Sequence, residues 1–430
     1  MKLDYNLDGY SYLTDDTSKI NEDTLFLLTA QNQKYFKKLE VKPSFITPKD
    51  LILKWNIESI KVVGVTGTNG KTTVTAGIYS FLLDLGEKVA LQGTRGFFAN
   101  EIRVEEKIMT TPSILETLNH IEIAKSRGCK YFIMEVSSHA ISQNRIEDID
   151  FALKIHTNIT SDHLDYHKTV EEYRAVKSSF FADEAPKLLN KDDIKNIIYN
   201  PKNAQSYGVD EPSTFKVQAF SLKNGITAGV KHLNKEASFS SPMVGLFNLF
   251  NLMASIGATV MLTGKTIEEV CEVVPNFAGV AGRMEVVSSN PLVIVDFAHT
   301  DDGMIKVLDS MKDRDVVVVF GAGGNRDRTK RPRMGAVASK FAKKVFVTSD
   351  NPRDEDPAEI IKDILRGIKD QSTIRAMVDR AFAIEEALKG LKDNEVLMIL
   401  GKGDEDYMEI KGEKVHFDDR EVVKLLLEKI

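Results

Sequence analysis

The chain has 430 residues, a formal charge of −6, 42% hydrophobic and 28% charged residues. That length holds about three ordinary domains, and the composition is that of a soluble globular protein. The acidic balance gives no general support for nucleic-acid binding, and Cys129 and Cys271 make neither a disulfide framework nor a Cys-x-x-Cys metal pair.

No apolar run approaches the ~18 residues of a membrane span, and the N-terminus lacks a signal-peptide core. The expectation is a cytoplasmic, monomeric protein with buried thiols and no stable membrane insertion. Residues 1–58 form a short front segment, with strands expected at 24–29 and 44–47 and a connector, partly helical, over 49–59. Residues 59–277 read as an α/β domain. The apolar run Val62–Val65 is its first strand, and Val74, Ile78 and Leu82 place a helix over 72–83 that Gly86 ends. Further strands are expected at 88–91, 131–136 and 151–156, short β runs over 190–240, and a helix over 247–263. Residues 278–430 repeat the α/β alternation, with strands at 292–296, 316–320, 344–348 and 395–400 and helices at 356–365 and 379–388. The fold class is therefore α/β.

Between the first strand and its helix lies Thr66-Gly-Thr-Asn-Gly-Lys-Thr-Thr73. Glycines there allow backbone N–H groups and a helix N-terminus to face phosphate oxygens. Lys71 adds a point charge, and the Thr72 hydroxyl suits Mg²⁺. The spacing departs from the standard phosphate loop: its first glycine would fall at Val65, and the available one is Gly64. Glu135 closes the strand 131–136 and is an oxygen ligand suited to Mg²⁺. Asp162-His-Leu-Asp-Tyr-His167 follows another strand, where aspartates also serve as helix caps and a zinc site is the alternative.

These stretches, with Glu135-Val-Ser-Ser-His139, Tyr173-Arg-Ala-Val-Lys-Ser178, Gly245-Leu-Phe-Asn-Leu-Phe-Asn251, Gly282-Arg-Met-Glu285 and Asp296-Phe-Ala-His299, resemble the Mur ligase family from about residue 59 to the end. The resemblance implies a three-domain architecture with a phosphate-loop centre and a Rossmann-like rear domain, divided as 1–58, 59–277 and 278–430. It implies that Gly67, Thr68, Asn69, Gly70, Lys71, Thr72 and Thr73 hold ATP, with Asn248, Asn251, Arg283, Asp296 and His299. It places Mg²⁺ near Thr72, Glu135, His163 and Lys177. Lys177 matches a lysine carbamylated by carbon dioxide; read alone, it is an exposed helix lysine. Phe297 and Asp301 depart from the family pattern, where tyrosine and proline are common.

Thr110, Thr111, Ser137, Gln143 and Arg145 match family contacts to the sugar-nucleotide substrate. Asp350-Asn-Pro-Arg353 resembles the motif of the branch that adds meso-diaminopimelate. By that likeness Arg353 pairs with the distal carboxylate, while Asp350, Asn351, Arg326, Gly401 and Glu405 complete the amino-acid site. Asp404 stands where histidine is usual, and the short front segment lacks the family's Asp-Ser-Arg signature. The implied reaction is ATP-dependent addition of meso-diaminopimelate to UDP-N-acetylmuramoyl-L-alanyl-D-glutamate through an acyl phosphate. An L-lysine-adding ligase and a folate polyglutamate ligase are the alternatives. No general base stands out among His167, His299 and phosphate.

Overall fold

The structure is a computed structural model. It describes residues 1–106, 109–160, 164–223 and 225–429, and of Leu7, Leu164 and Asp165 only the backbone. The chain forms two compact units, one of residues 1–221, 227–241 and 248–277, the other of 222–226, 242–247 and 278–430.

In the first unit the strand Lys61–Thr66 lies between two parallel neighbours, Phe151–His156 and Tyr131–Glu135. Val62, Val63 and Val65 are all buried, as befits a parallel strand covered on both faces. These three strands sit inside an eleven-stranded sheet that also takes in Val89–Gly93 and ends in antiparallel hairpins on both sides. Gly64 is a packing glycine: a Cβ there would overlap the rings of Phe151 and Phe180. Its place within the strand accounts for the offset spacing of the phosphate loop. The helix Lys71–Asp84 stops at Gly86 (φ +81°), where the amides of Gly86 and Glu87 reach back to Leu83 O and Leu82 O.

The front segment makes its own four-stranded sheet, Lys2–Leu7, Tyr10–Thr14, Thr24–Leu27 and Phe45–Ile46. The first two strands are a hairpin turned by Asp8 and Gly9, which the polar alternation of Lys2–Leu7 hid from the sequence reading. Among the described residues one helix, Leu246–Thr263, is long and apolar enough to cross a membrane, but 72% of it is buried inside the protein. Its apolar length serves the core.

The second unit is a six-stranded sheet in the order Glu285–Ser289, Leu292–Asp296, Glu395–Leu400, Asp315–Phe320, Lys344–Val347, Ile374–Ala376. All neighbours but the first pair are parallel. Side chains alternate between two cores. Val317, Val319, Leu397 and Ile399 face one layer of helices, and Val316, Val318, Val396 and Met398 the other. The hairpin Tyr407–Ile410/Glu413–His416 is largely exposed and carries no apolar alternation, so periodicity did not announce it.

Candidate active site

The first unit gathers polar side chains at the C-terminal edge of its parallel strands, where open α/β sheets leave a crevice. Gly67 (φ +154°) and Gly70 (φ +85°) take left-handed backbone. A Cβ on Gly67 would overlap the Thr157 hydroxyl, and one on Gly70 the Asn251 amide. Only glycine lets the loop close this tightly. Around it, Thr157 Oγ1 donates to Asn69 O (2.6 Å), and Asn158 grips Asn69 twice, accepting from its N–H and donating to its C=O (3.1 Å each). Thr68 Oγ1 meets Tyr173 OH at 3.0 Å and accepts from Thr160 N–H at 2.9 Å. Thr73 is buried in the first turn of the helix.

Two ammonium groups converge on one carbonyl. Lys71 Nζ donates to Gly67 O (2.8 Å) and Thr68 O (2.9 Å), and Lys177 Nζ donates to Gly67 O (3.0 Å) and Thr66 Oγ1 (3.2 Å). Lys177 is 1% exposed, on the helix Val170–Ser179, which Thr169 caps by accepting from Glu172 N–H. The surface lysine expected from composition is therefore a core group.

Glu135, also 1% exposed, accepts from Thr72 Oγ1 (3.0 Å), Thr94 N–H (2.8 Å) and Thr94 Oγ1 (3.3 Å). Thr94 was not among the sequence candidates. Its signal was its place just after Gly93, whose Cβ would overlap the Glu135 carboxylate. Thr94 Oγ1 then meets Thr110 Oγ1 at 3.1 Å. Thr111 Oγ1 donates to Glu135 O (2.9 Å) and accepts from Ser137 N–H (3.0 Å). Arg145 Nη1 donates to Thr111 O (2.9 Å), while its Nε and Nη2 hold Gln143 Oε1 (3.0 and 2.6 Å). Thr110, Thr111, Ser137, Gln143 and Arg145 thus form one network ending on Glu135.

His163 lies outside the described residues. His167 is buried, with Nε2 on Ser138 Oγ at 2.9 Å, where it braces the turn after Glu135. Asn248 and Asn251 are buried near the start of the core helix, Asn251 Nδ2 donating to Asn248 Oδ1 (3.0 Å).

In the second unit Asp296 ends a parallel strand. Its two oxygens accept from Met284 N–H (2.8 Å) and Ala298 N–H (2.7 Å), so it clamps the turn that carries Arg283. Burial pushes its carboxyl above the ordinary carboxylate range, against the pull of Arg283 and the two amides. Arg283 packs over the Phe297 ring at 4.5 Å, a contact that a tyrosine ring would also make. His299 Nδ1 meets Phe297 O at 2.9 Å, and Asp301 pairs with Arg333 at 2.9 Å.

A second cluster follows the strands 315–320, 344–347 and 395–400. Asn351 Nδ2 donates to Glu405 Oε2 (2.8 Å), and Asn351 Oδ1 accepts from Glu409 N–H (2.9 Å). The Asp350 side chain accepts from the Asn351 N–H (2.6 Å) and fills the space a Cβ on Gly401 (φ +116°) would need. Arg353, itself at φ +52°, donates from Nε to Glu409 Oε2 (3.0 Å) and from Nη1 to Gly324 O (2.9 Å). Arg326 is exposed on the neighbouring loop. Lys402, not singled out from the sequence, is fully buried with its ammonium 3.4 Å from Glu405 Oε2. Arg380 is also fully buried. It pairs with Asp419 twice at 2.7 Å and donates to Ser349 O (3.1 Å) and Leu400 O (3.0 Å). It therefore ties together the strand ends that precede Asp350 and Gly401.

The chain belongs to the Mur ligase family: residues 65–259 match the Mur ligase middle domain and residues 282–403 the Mur ligase glutamate ligase domain. It is 51% identical over 427 residues to a UDP-N-acetylmuramoyl-L-alanyl-D-glutamate–2,6-diaminopimelate ligase of Wolinella succinogenes, covering 98% of each chain. A ligase of the same description from Helicobacter pylori is 47% identical, over 98% of this chain and 97% of its own. A solved structure of such a ligase superposes with a TM-score of 0.71 at 28% identity, covering 97% of this chain and 94% of that one. A folylpolyglutamate synthase of Mycobacterium tuberculosis, at 15% identity and a TM-score of 0.64 over 82% of this chain and 91% of its own, shares the fold.

Proposed function

We propose that the protein is an ATP-dependent ligase joining meso-2,6-diaminopimelate to UDP-N-acetylmuramoyl-L-alanyl-D-glutamate, making a peptidoglycan precursor in the cytoplasm. The observation that carries the reading is the pairing of two constellations in one chain: the Lys71–Glu135–Lys177 group, and the Asn351–Arg353–Glu405 group. Likeness to the diaminopimelate ligases along nearly the whole chain supports it.

The muropeptide carboxylate is a poor acyl donor. It attacks the ATP γ-phosphorus, giving an acyl phosphate and ADP. The incoming amine attacks the acyl carbon, and the tetrahedral intermediate collapses with loss of phosphate. Lys71 leaves the carbonyls of its own loop for the ATP phosphates, offsetting charge as the phosphoryl group transfers. Residues Gly67 to Thr73 bind phosphate through backbone amides, and Asn248 and Asn251 hold the base end. Arg283, Asp296 and His299 are the rear contacts to ATP.

Mg²⁺ fits the residues present: Thr72 Oγ1 and Glu135 Oε2 lie 3.0 Å apart at the loop's mouth, a hard oxygen pair. His163 and Lys177 complete the assigned set. The ion supplies charge neutralisation at the transferring phosphate. Lys177 is the carbamylated residue in this reading. Carbon dioxide adds to the uncharged form of an amine and turns a cation into an anion. The resulting anion suits a metal and phosphate site better than a second cation.

Thr110, Thr111, Ser137, Gln143 and Arg145 receive the muropeptide, with residues 1–58 as the uridine-side domain. Residues 59–277 are the ATP domain and 278–430 the amino-acid domain. Asp350, Asn351, Arg326, Gly401 and Glu405 hold the amino acid, and Arg353 reads its distal carboxylate. The test is incubation with ATP, the UDP-dipeptide and either meso-diaminopimelate or L-lysine, followed by product mass. Comparable efficiency with lysine would sink the specificity.

A further inference from the structure

We propose that Glu105, Glu116 and His120 form a second cation site, for a first-row transition metal such as Zn²⁺. It is separate from the residues assigned to Mg²⁺ and ATP, and it does not depend on which substrates the protein joins.

The three side chains come from two elements. Glu116 and His120 stand four residues apart on the helix Ile114–Ser126, so they share a face. Glu105 ends the strand Ile102–Glu105 and lies opposite Phe97 in the neighbouring strand. Phe97 stacks on the His120 ring, with centroids 4.3 Å apart and planes at 12°. That stack brings the strand's carboxylate to the helix's imidazole. One ligand atom from each of the three residues lies within 4.8 Å of the other two.

The imidazole is already oriented for a metal. Its Nδ1 lies 2.7 Å from Gln92 Oε1, and Gln92 Nε2 donates to Thr117 Oγ1 at 3.3 Å. The amide oxygen therefore accepts the Nδ1 proton and leaves the Nε2 lone pair for a ligand. A hydrogen-bond partner on the far nitrogen is what fixes the ring of a metal-binding histidine. His120 is fully buried, and among the described residues its Nε2 has no hydrogen-bond partner. Glu105 Oε2 is 3.3 Å away but off the line of an N–H hydrogen bond. A buried lone pair turned toward two carboxylates is unfavourable unless a cation lies between them.

The donor set selects the ion. Imidazole nitrogen with two carboxylate oxygens suits Zn²⁺ and its neighbours, whereas Mg²⁺ takes oxygen alone. Around a tetrahedral ion with bonds of ~2.1 Å, ligand atoms stand roughly 3.4 Å apart. The His120–Glu105 separation of 3.3 Å meets that spacing, and the half-buried Glu116 closes on it by side-chain rotation. The Glu105 side chain is 39% exposed, which lets the ion enter and leaves a position for water. Such an ion ties the strand Ile102–Glu105 to the helix that begins just after Thr110 and Thr111.

The experiment measures Zn²⁺ bound per chain by equilibrium dialysis, with excess Mg²⁺ to fill the oxygen site beside the phosphate loop. It compares wild-type protein with Glu105→Gln, Glu116→Gln, His120→Gln and Glu135→Gln, using thermal melting to confirm folding. Wild-type protein and Glu135→Gln are expected to hold one Zn²⁺ equally well. The other three variants should bind it at least about tenfold more weakly. The two Glu→Gln changes at 105 and 116 leave the ring's stack and its Gln92 contact in place, so they decide the matter if His120→Gln does not fold. Wild-type affinity in either of them overturns the three-ligand site. Weakened binding in Glu135→Gln moves the ion to the phosphate loop and also overturns it. No bound Zn²⁺ in wild-type protein makes the cluster a proton-sharing His120–Glu105 pair, and ends the proposal.

Discussion

Lys71 and Lys177 share Gly67 O, so each is held by the loop it is assigned to serve. The Lys71→Ala variant is expected to keep its melting temperature and lose roughly 10²- to 10³-fold in turnover, read by phosphate release at saturating substrates. Retained turnover would remove Lys71 from the phosphate-stabilising role. For Lys177 the check is spectroscopic. With ¹³C-bicarbonate, wild-type protein should show a carbamate carbon resonance that Lys177→Arg lacks. Lys71 was legible from the sequence because a glycine-lysine-threonine turn is a local motif. The burial of Lys177 was not: ten helical residues look amphipathic from their own composition, and what covers them comes from elsewhere. The same limit hid Lys402 and Thr94, whose roles depend on partners distant in the chain.

At the scale of elements, glycines set how closely strands and loops approach. Gly93 ends the strand Val89–Gly93 against the Glu135 carboxylate, and a methyl group there would overlap Oε1. Gly93→Ala is expected to push Glu135 off Thr72 and cut kcat by about tenfold or more, since displacing a positioned group by an ångström is costly. Normal kcat in a folded variant would contradict that placement. The helix Ile267–Val273 opens with a reciprocal capping box between Thr266 and Glu269. Thr266→Ala should cost about 1 kcal/mol in denaturant unfolding without touching activity. Strong periodic helices and apolar parallel strands were readable because each records its own burial. The hairpins at 2–14 and 407–416 were not: among its described side chains the first buries only Tyr5, Leu13 and Thr14, beside polar neighbours, and the second is largely exposed. Yet the second of them places Glu409 against Arg353.

Across the whole molecule, buried charge fixes the frame that presents the loops. Arg380 and Asp419 are both fully buried. Replacing Asp419 with Asn leaves the guanidinium without its counter-charge, and should lower stability by about 3–5 kcal/mol, measured by denaturant unfolding. It should also raise KM for the amino acid, because Arg380 spans the strand ends before Asp350 and Gly401. Glu355 gives the second unit a pH response. Hydrogen bonds from Arg331, with the Asn325 amide and the Arg331 and Arg328 charges, hold its carboxyl down from 4.5 to about 2. A depressed carboxyl contributes stability that is complete above its unfolded value and lost as pH falls through the folded one. The loss therefore runs between 4.5 and about 2. Glu355→Gln should be less stable at neutral pH and show a flatter decline across that window, followed by unfolding at stepped pH.

From the sequence alone came the α/β class, the phosphate loop and the carboxylate at a strand end. Each is written in neighbouring residues, through hydrophobic period and turn chemistry. Tertiary structure alone decided that Lys177 is buried against Gly67, that Thr94 brackets Glu135, and that Glu409 occupies the Arg353 fork. Those contacts join residues far apart in the chain, where burial and charge pairing depend on which strands lie side by side.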